Sequence, residues 1–220
     1  MHFPYWGGAT LDETSGYFGL LALLLGLAAL LGSREAERER ALIWFWGAVA
    51  LVALILSFGG YLPFDLNHTL HRTPVYNLFR ASGRHMYEFN FAMGLLAGFG
   101  ATLLSQPDRK TARRVFMRAA TAFAAILAVT VLAYRFLTPD MAKYIVSEAP
   151  PVAGFNSLSN SEVWIPLLLA VLCLAALWLH ARRNNAATAC LLLALAFADL
   201  WGFSFIFNYG WRDYVSNIGR

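Results

Sequence analysis

Arg80, Arg84 and Glu88 recur every fourth residue, with His85 between the last two. On a helix that starts near Asn77 and continues through Gly83, these side chains fall on one stripe. Two guanidinium forks one helical turn apart suit a phosphate or pyrophosphate. Each fork makes paired, charge-assisted hydrogen bonds and never loses its proton. The plainer account is an ion pair between Arg84 and Glu88, with Arg80 reaching toward lipid headgroups. His68, His71 and Arg72 crowd the segment just upstream, and Asp199 sits near the end of a late apolar run. A carboxylate beside hydrocarbon needs a partner, and an arginine of the Arg80 and Arg84 pair is the candidate; a structural pairing inside the bundle and a role as general base or substrate ligand are the two readings. His68 and His71 have the i, i+3 spacing of half a metal site, but no third strong ligand stands at a matching interval. No cofactor is therefore assigned, and a divalent metal has no support from the residues.

These side chains are informative because charge is scarce around them. Of the 220 residues 59% are hydrophobic and 14% charged, against about 25% charged in an ordinary soluble domain. Apolar runs near residues 16–32, 41–61, 86–105, 115–137, 162–180 and 186–207 each approach the roughly 20 residues that cross about 30 Å of hydrocarbon as a helix. Within lipid every backbone N–H and C=O must be satisfied inside the segment, and runs this long without alternation do not read as barrel strands. The expected fold is all-α, a single polytopic domain of about six transmembrane helices.

Cation placement orients that bundle. Arg34, Arg38, Arg40, Arg109, Lys110, Arg113, Arg114, Arg118, Arg182 and Arg183 fall in three short connections, at residues 33–40, 106–118 and 181–185. The positive-inside rule makes those connections cytoplasmic and puts both termini outside. The net charge of +4 thus marks topology, and no nucleic-acid partner is expected. Two longer connections, residues 59–84 and 138–160, are expected on the outer side. Each has room for a short interfacial helix, with residues 140–147 the candidate in the second. Gly94 and Gly98 form a G-x-x-x-G spacing, read as a close helix contact. Cys173 and Cys190 lie in apolar runs and read as small core residues. Asp12 and Glu13 precede the first apolar run and no basic segment does, so this start does not resemble a secretory signal, and the chain is expected to be the later part of a longer polypeptide.

The segment from Ser57 to Gly100 resembles bacterial YfhO-type membrane proteins. The likeness is carried by Pro74-Val75-Tyr76-Asn77-Leu78-Phe79-Arg80, then Arg84, then the run Gly94, Gly98, Gly100. Gly16-Tyr17-Phe18-Gly19-Leu20 and Ala198-Asp199-Leu200 extend it weakly in both directions. Such proteins are similar to GT-C glycosyltransferases, which move a sugar from a polyprenyl-phosphate carrier to an acceptor at the outer membrane face. The resemblance implies a multi-pass protein of the bacterial inner membrane that takes part in envelope glycosylation, and a polyprenyl-phosphate-sugar as ligand. It implies Arg80 and Arg84 as the carrier-phosphate residues, with His85, Glu88 and Asp199 close by and His68, His71 and Arg72 as secondary candidates. It supplies no catalytic acid, which in those enzymes belongs to an N-terminal half that nothing here matches; a longer polypeptide or a partner subunit would provide it. Two other classes compete: a lipid-carrier flippase, and a non-catalytic scaffold subunit. A small-ion channel is disfavoured because the inner halves of the runs carry almost no polar groups.

Overall fold

The computed structural model describes residues 17–58, 72, 82–145 and 161–218. Six helices account for nearly all of them: α1 (Leu20–Leu31), α2 (Arg40–Ser57), α3 (His85–Leu104), α4 (Arg109–Ile145), α5 (Ser161–Arg183) and α6 (Ala186–Ile218). Among the described residues there is no strand, and that part of the chain is all-helical. Three stretches of the described residues are long and apolar enough to cross a membrane: Arg40–Ser57, Ile165–Arg183 and Ala186–Phe203. Large apolar side chains stand outward on them, Val171, Leu193 and Phe197 at 60, 71 and 66% exposure. An apolar surface that broad suits lipid and not water.

Six crossings were expected; among the described residues three stretches meet the length and composition of a span. Two other helices, α1 and α3, do not, for local reasons. At 12 residues, α1 is about 18 Å long, well under the hydrocarbon thickness. His85, Glu88 and Asn90 dilute the first turns of α3. A correction concerns residues 140–147, expected as a separate interfacial helix. The backbone of α4 instead continues through Pro139 to Ile145.

The core forms where α1 packs on α3, with α4 closing over both. Leu21, Leu24 and Ala28 of α1 meet Ala92, Leu96 and Leu103 of α3, and Val115, Phe116, Ala119 and Phe123 extend the cluster onto α4. Gly100, not the Gly94 and Gly98 pair, marks the close approach. A Cβ built on Gly100 would lie 1.9 Å from the Leu25 carbonyl oxygen, whereas one on Gly94 or Gly98 meets nothing within 4 Å. Cys173 is buried as expected of a core residue, but Cys190 is exposed on α6.

The connections at one end are tied by polar contacts. Arg118 reaches back to the Leu31 carbonyl at 3.2 Å and to Glu35 at 2.7 Å, holding the α1–α2 turn on α4. Asn184 takes a positive φ of 42° between α5 and α6, a conformation asparagine tolerates better than most residues. Its side-chain amide donates to the Ser105 carbonyl at 2.7 Å, and the Ser105 hydroxyl meets His180 Nε2 at 3.0 Å. Thr188 donates to the Asn185 carbonyl, so at its other contact it accepts from His180 Nδ1 at 2.9 Å. His180 is thereby held as the Nδ1–H tautomer, with Nε2 accepting from Ser105.

Asp108 caps α4. Its carboxylate accepts from the Thr111 hydroxyl at 2.6 Å and from the Lys110 N–H at 3.0 Å, the second being one of the backbone donors that a helix start leaves open. The Thr111 hydroxyl, and then the Lys110 N–H, hold this carboxyl below its ordinary range. A depressed folded-state value gives stability that is present above the unfolded value of about 3.9 and lost as pH falls through the folded one. Asp108→Asn keeps an acceptor oxygen but does not titrate. Subtracting its acid-unfolding profile from that of the natural chain should leave a stability difference that is constant above about pH 4 and shrinks as pH falls further; a difference with no pH dependence would refute the cap's electrostatic share.

Candidate functional site

A short 3-10 turn, Ser82–Arg84, leads into α3. This break changes the stripe expected from the spacing of Arg80, Arg84 and Glu88. Arg84 stands at the N-cap of α3, exposed, and Glu88 is one turn inside. Arg80, His68 and His71 lie outside the described residues. Arg72 is described as exposed, at a turn. The partner of Glu88 is not Arg84 but His85, whose Nδ1 lies 2.5 Å from the carboxylate. Since a carboxylate only accepts, Nδ1 carries the proton. His85 is 7% exposed, whereas the Glu88 side chain remains half exposed.

This pair stands at the polar end of a groove of about 420 Å³ between α2 and α3. Phe45, Ala48, Val49, Val52, Ala53 and Leu56 form the apolar wall, and His85 and Glu88 are its other lining residues. The wall positions follow intervals of three and four, one face of α2. The edge-to-face contact of Trp46 with Phe91, ring centres 5.6 Å apart, fixes that face against α3. A long apolar wall with two hydrogen-bonding groups at one end is shaped for an amphiphile.

Asp199 lies at the same end of the bundle but does not line the groove. It is 2% exposed. Its partners are the Tyr17 hydroxyl and, at 2.6 Å, the Leu20 N–H; of the two candidate arginines, Arg84 does not take that place, and Arg80 lies outside the described residues. The start of α1 therefore separates the two sites: Tyr17 and Leu20 turn to Asp199, while the Phe18 ring meets Phe89 edge-on, one residue past Glu88. With both oxygens engaged by donors, Asp199 is arranged to hold α6 against α1, and the general-base reading has no geometric support from it.

The structure thus joins His85 with Glu88, sets Arg84 next to them in the chain, and sends Asp199 elsewhere. Sequence reasoning missed Tyr17 and the groove wall on α2. The Tyr17 contact spans 182 residues in the chain and carries no local signal. The α2 stripe is invisible because the rest of that helix is equally apolar. No protein-family model matches the chain, and no curated protein or solved structure shows significant similarity to it.

Proposed function

We propose that this chain is the membrane-embedded part of a GT-C-like glycosyltransferase of the bacterial inner membrane. Its ligand is a polyprenyl-phosphate-linked sugar presented at the outer face for envelope glycosylation. The groove between α2 and α3 carries this reading. An isoprenoid tail lies along Val49, Val52 and Leu56, and the phosphate emerges where the chain turns from Arg84 into His85. The proton on His85 Nδ1 is committed to Glu88, which fixes the ring while Arg84 and Arg80 supply permanent positive charge to the phosphate. In this reading the chain binds and orients the carrier, and the acid that activates the acceptor comes from a partner subunit or from further polypeptide.

Binding of undecaprenyl phosphate to the purified chain in nanodiscs tests it. Val52 is 54% exposed and lines the groove, so Val52→Trp obstructs the wall without entering the core. This variant should weaken binding about tenfold, an effect of about 1.4 kcal/mol. Arg80→Ala with Arg84→Ala should weaken it at least as much while leaving membrane insertion intact. Unaltered affinity in both rejects the carrier site. Carrier movement across vesicles without sugar transfer in the intact system would instead favour a flippase.

A further inference from the structure

The basic connections differ in how much of their charge is neutralised. Arg34, Arg38 and Arg40 alternate with Glu35, Glu37 and Glu39, so the α1–α2 turn is locally balanced. The start of α4 and the end of α5 are not. Lys110, Arg113 and Arg114 are exposed on the first turns of α4, Arg182 and Arg183 on the last turn of α5. Among the described residues no carboxylate lies within 4.0 Å of the side-chain nitrogens of these five. The one acidic neighbour in the α3–α4 connection, Asp108, is occupied with Thr111 and the Lys110 N–H.

The fold draws these two basic segments, about 70 residues apart in the chain, to the same place. Asn184 and His180 bind Ser105 from the α5–α6 side, and Ser105 leads directly into the start of α4. Arg109, at the junction, has a buried Nη1 with no hydrogen-bond partner. Lys110, Arg113, Arg114 and Met117 follow intervals of three and four, one face of α4. Met117 is 57% exposed, and Ile126, Leu127 and Val129 stand outward farther along the helix. The Arg182 guanidinium lies 3.5 Å from the centre of the Trp178 ring, the flat cationic-aromatic arrangement found at membrane interfaces. Cations at the rim and exposed apolar side chains beyond them match a molecule with an anionic head and hydrocarbon tails.

We propose that the junction of the α4 start and the α5 end is a binding site for anionic phospholipid, with the headgroup phosphate held by Arg109, Arg113, Arg114 and Arg183. The site stands apart from the carrier groove, at the opposite end of α3. Its action is to anchor this end of the bundle in a negatively charged leaflet, where a cation cluster gains most from lipid charge.

Electron spin resonance of the full chain in vesicles of mixed phosphatidylcholine and phosphatidylglycerol tests the proposal, with spin-labelled forms of each lipid as probes. The natural chain should prefer phosphatidylglycerol about fivefold. Combining Arg113→Gln, Arg114→Gln and Arg183→Gln should bring the preference close to parity. The same loss of charge by Arg34→Gln, Arg38→Gln and Arg40→Gln should leave it unchanged, and undecaprenyl phosphate binding should be unaltered in both. Absence of a preference in the natural chain, its persistence in the first triple variant, or equal losses in the two triples would each overturn the site. Should the first triple fail to fold, Arg114→Gln and Arg183→Gln singly decide: each should lower the preference, and no change in both refutes it.

Discussion

Gly100→Ala should destabilise the bundle by about 3 kcal/mol, the upper range for forcing atoms into a packed core. The added methyl would meet the carbonyl oxygen of Leu25 at 1.9 Å, with its carbonyl carbon at 2.7 Å. These are backbone atoms of α1, so no side-chain rotation relieves the clash and the two helices must separate. Separation loosens the contacts of Leu24 and Ala28 with Ala92 and Leu96, all buried to 1% or less. Gly94→Ala and Gly98→Ala supply the contrast. Their new methyls enter open space, and exchanging glycine for alanine in a helix gains up to about 1 kcal/mol in propensity. Detergent-solubilised protein titrated with dodecyl sulfate, followed by helical circular dichroism, measures all three. A Gly100→Ala midpoint equal to that of Gly94→Ala would mean that α1 and α3 are not so closely packed.

That contrast shows what the sequence could and could not reveal. The G-x-x-x-G spacing was plain, but not which side of α3 faces a neighbour. Ala92, Leu96 and Gly100 are buried at intervals of four along one stripe. Gly94 and Gly98 are each two residues off it, roughly the opposite side of a helix with 3.6 residues per turn. In many helices polar residues mark the outer side; here apolar residues run all round, so periodicity is silent. The presence of helices was legible for the same reason, since only the lengths of the apolar runs mattered. Helix ends were harder to read. The start of α4 at Arg109 was hidden inside a charged stretch, although Asp108 followed three residues later by Thr111 was a capping signal in view.

The candidate site divides along the same physical line. His85 and Glu88 are three residues apart, and helical geometry alone brings them within reach of each other. The arginine stripe depended on unbroken helix through Gly83, and the 3-10 turn at Ser82–Arg84 removes that continuity. For Asp199, the need for a partner followed from its type and surroundings. Its identity did not, because the N–H groups at a helix start are strong donors that no residue type advertises.

Asp199→Ala should cost about 3 to 4 kcal/mol, which sums two lost donors at about 1–3 kcal/mol each less some relaxation. Another argument points the opposite way: a carboxylate 2% exposed in an apolar helix is itself expensive, and removing a buried ion can be neutral or even favourable. Geometry decides between them. Neutral outcomes arise when both sides of an interaction become apolar, whereas this substitution leaves the Leu20 N–H and the Tyr17 hydroxyl in place without their acceptor. The N–H cannot be removed by any side-chain change at position 20 short of proline, and it sits at the positive end of α1, where a carboxylate is favoured. Gly19 makes the approach possible: at a φ of 96° it turns the chain so that even a Cβ there would stand 3.1 Å from Oδ2. Asp199→Asn should fall between, since one oxygen is kept while the amide nitrogen opposes a donor. Tyr17→Phe should cost about 1–2 kcal/mol, and combining it with Asp199→Ala should cost less than the sum because both remove the same contact. Equal midpoints for Asp199→Ala and the natural chain in dodecyl sulfate titration would show that Asp199 does not hold α6 to α1.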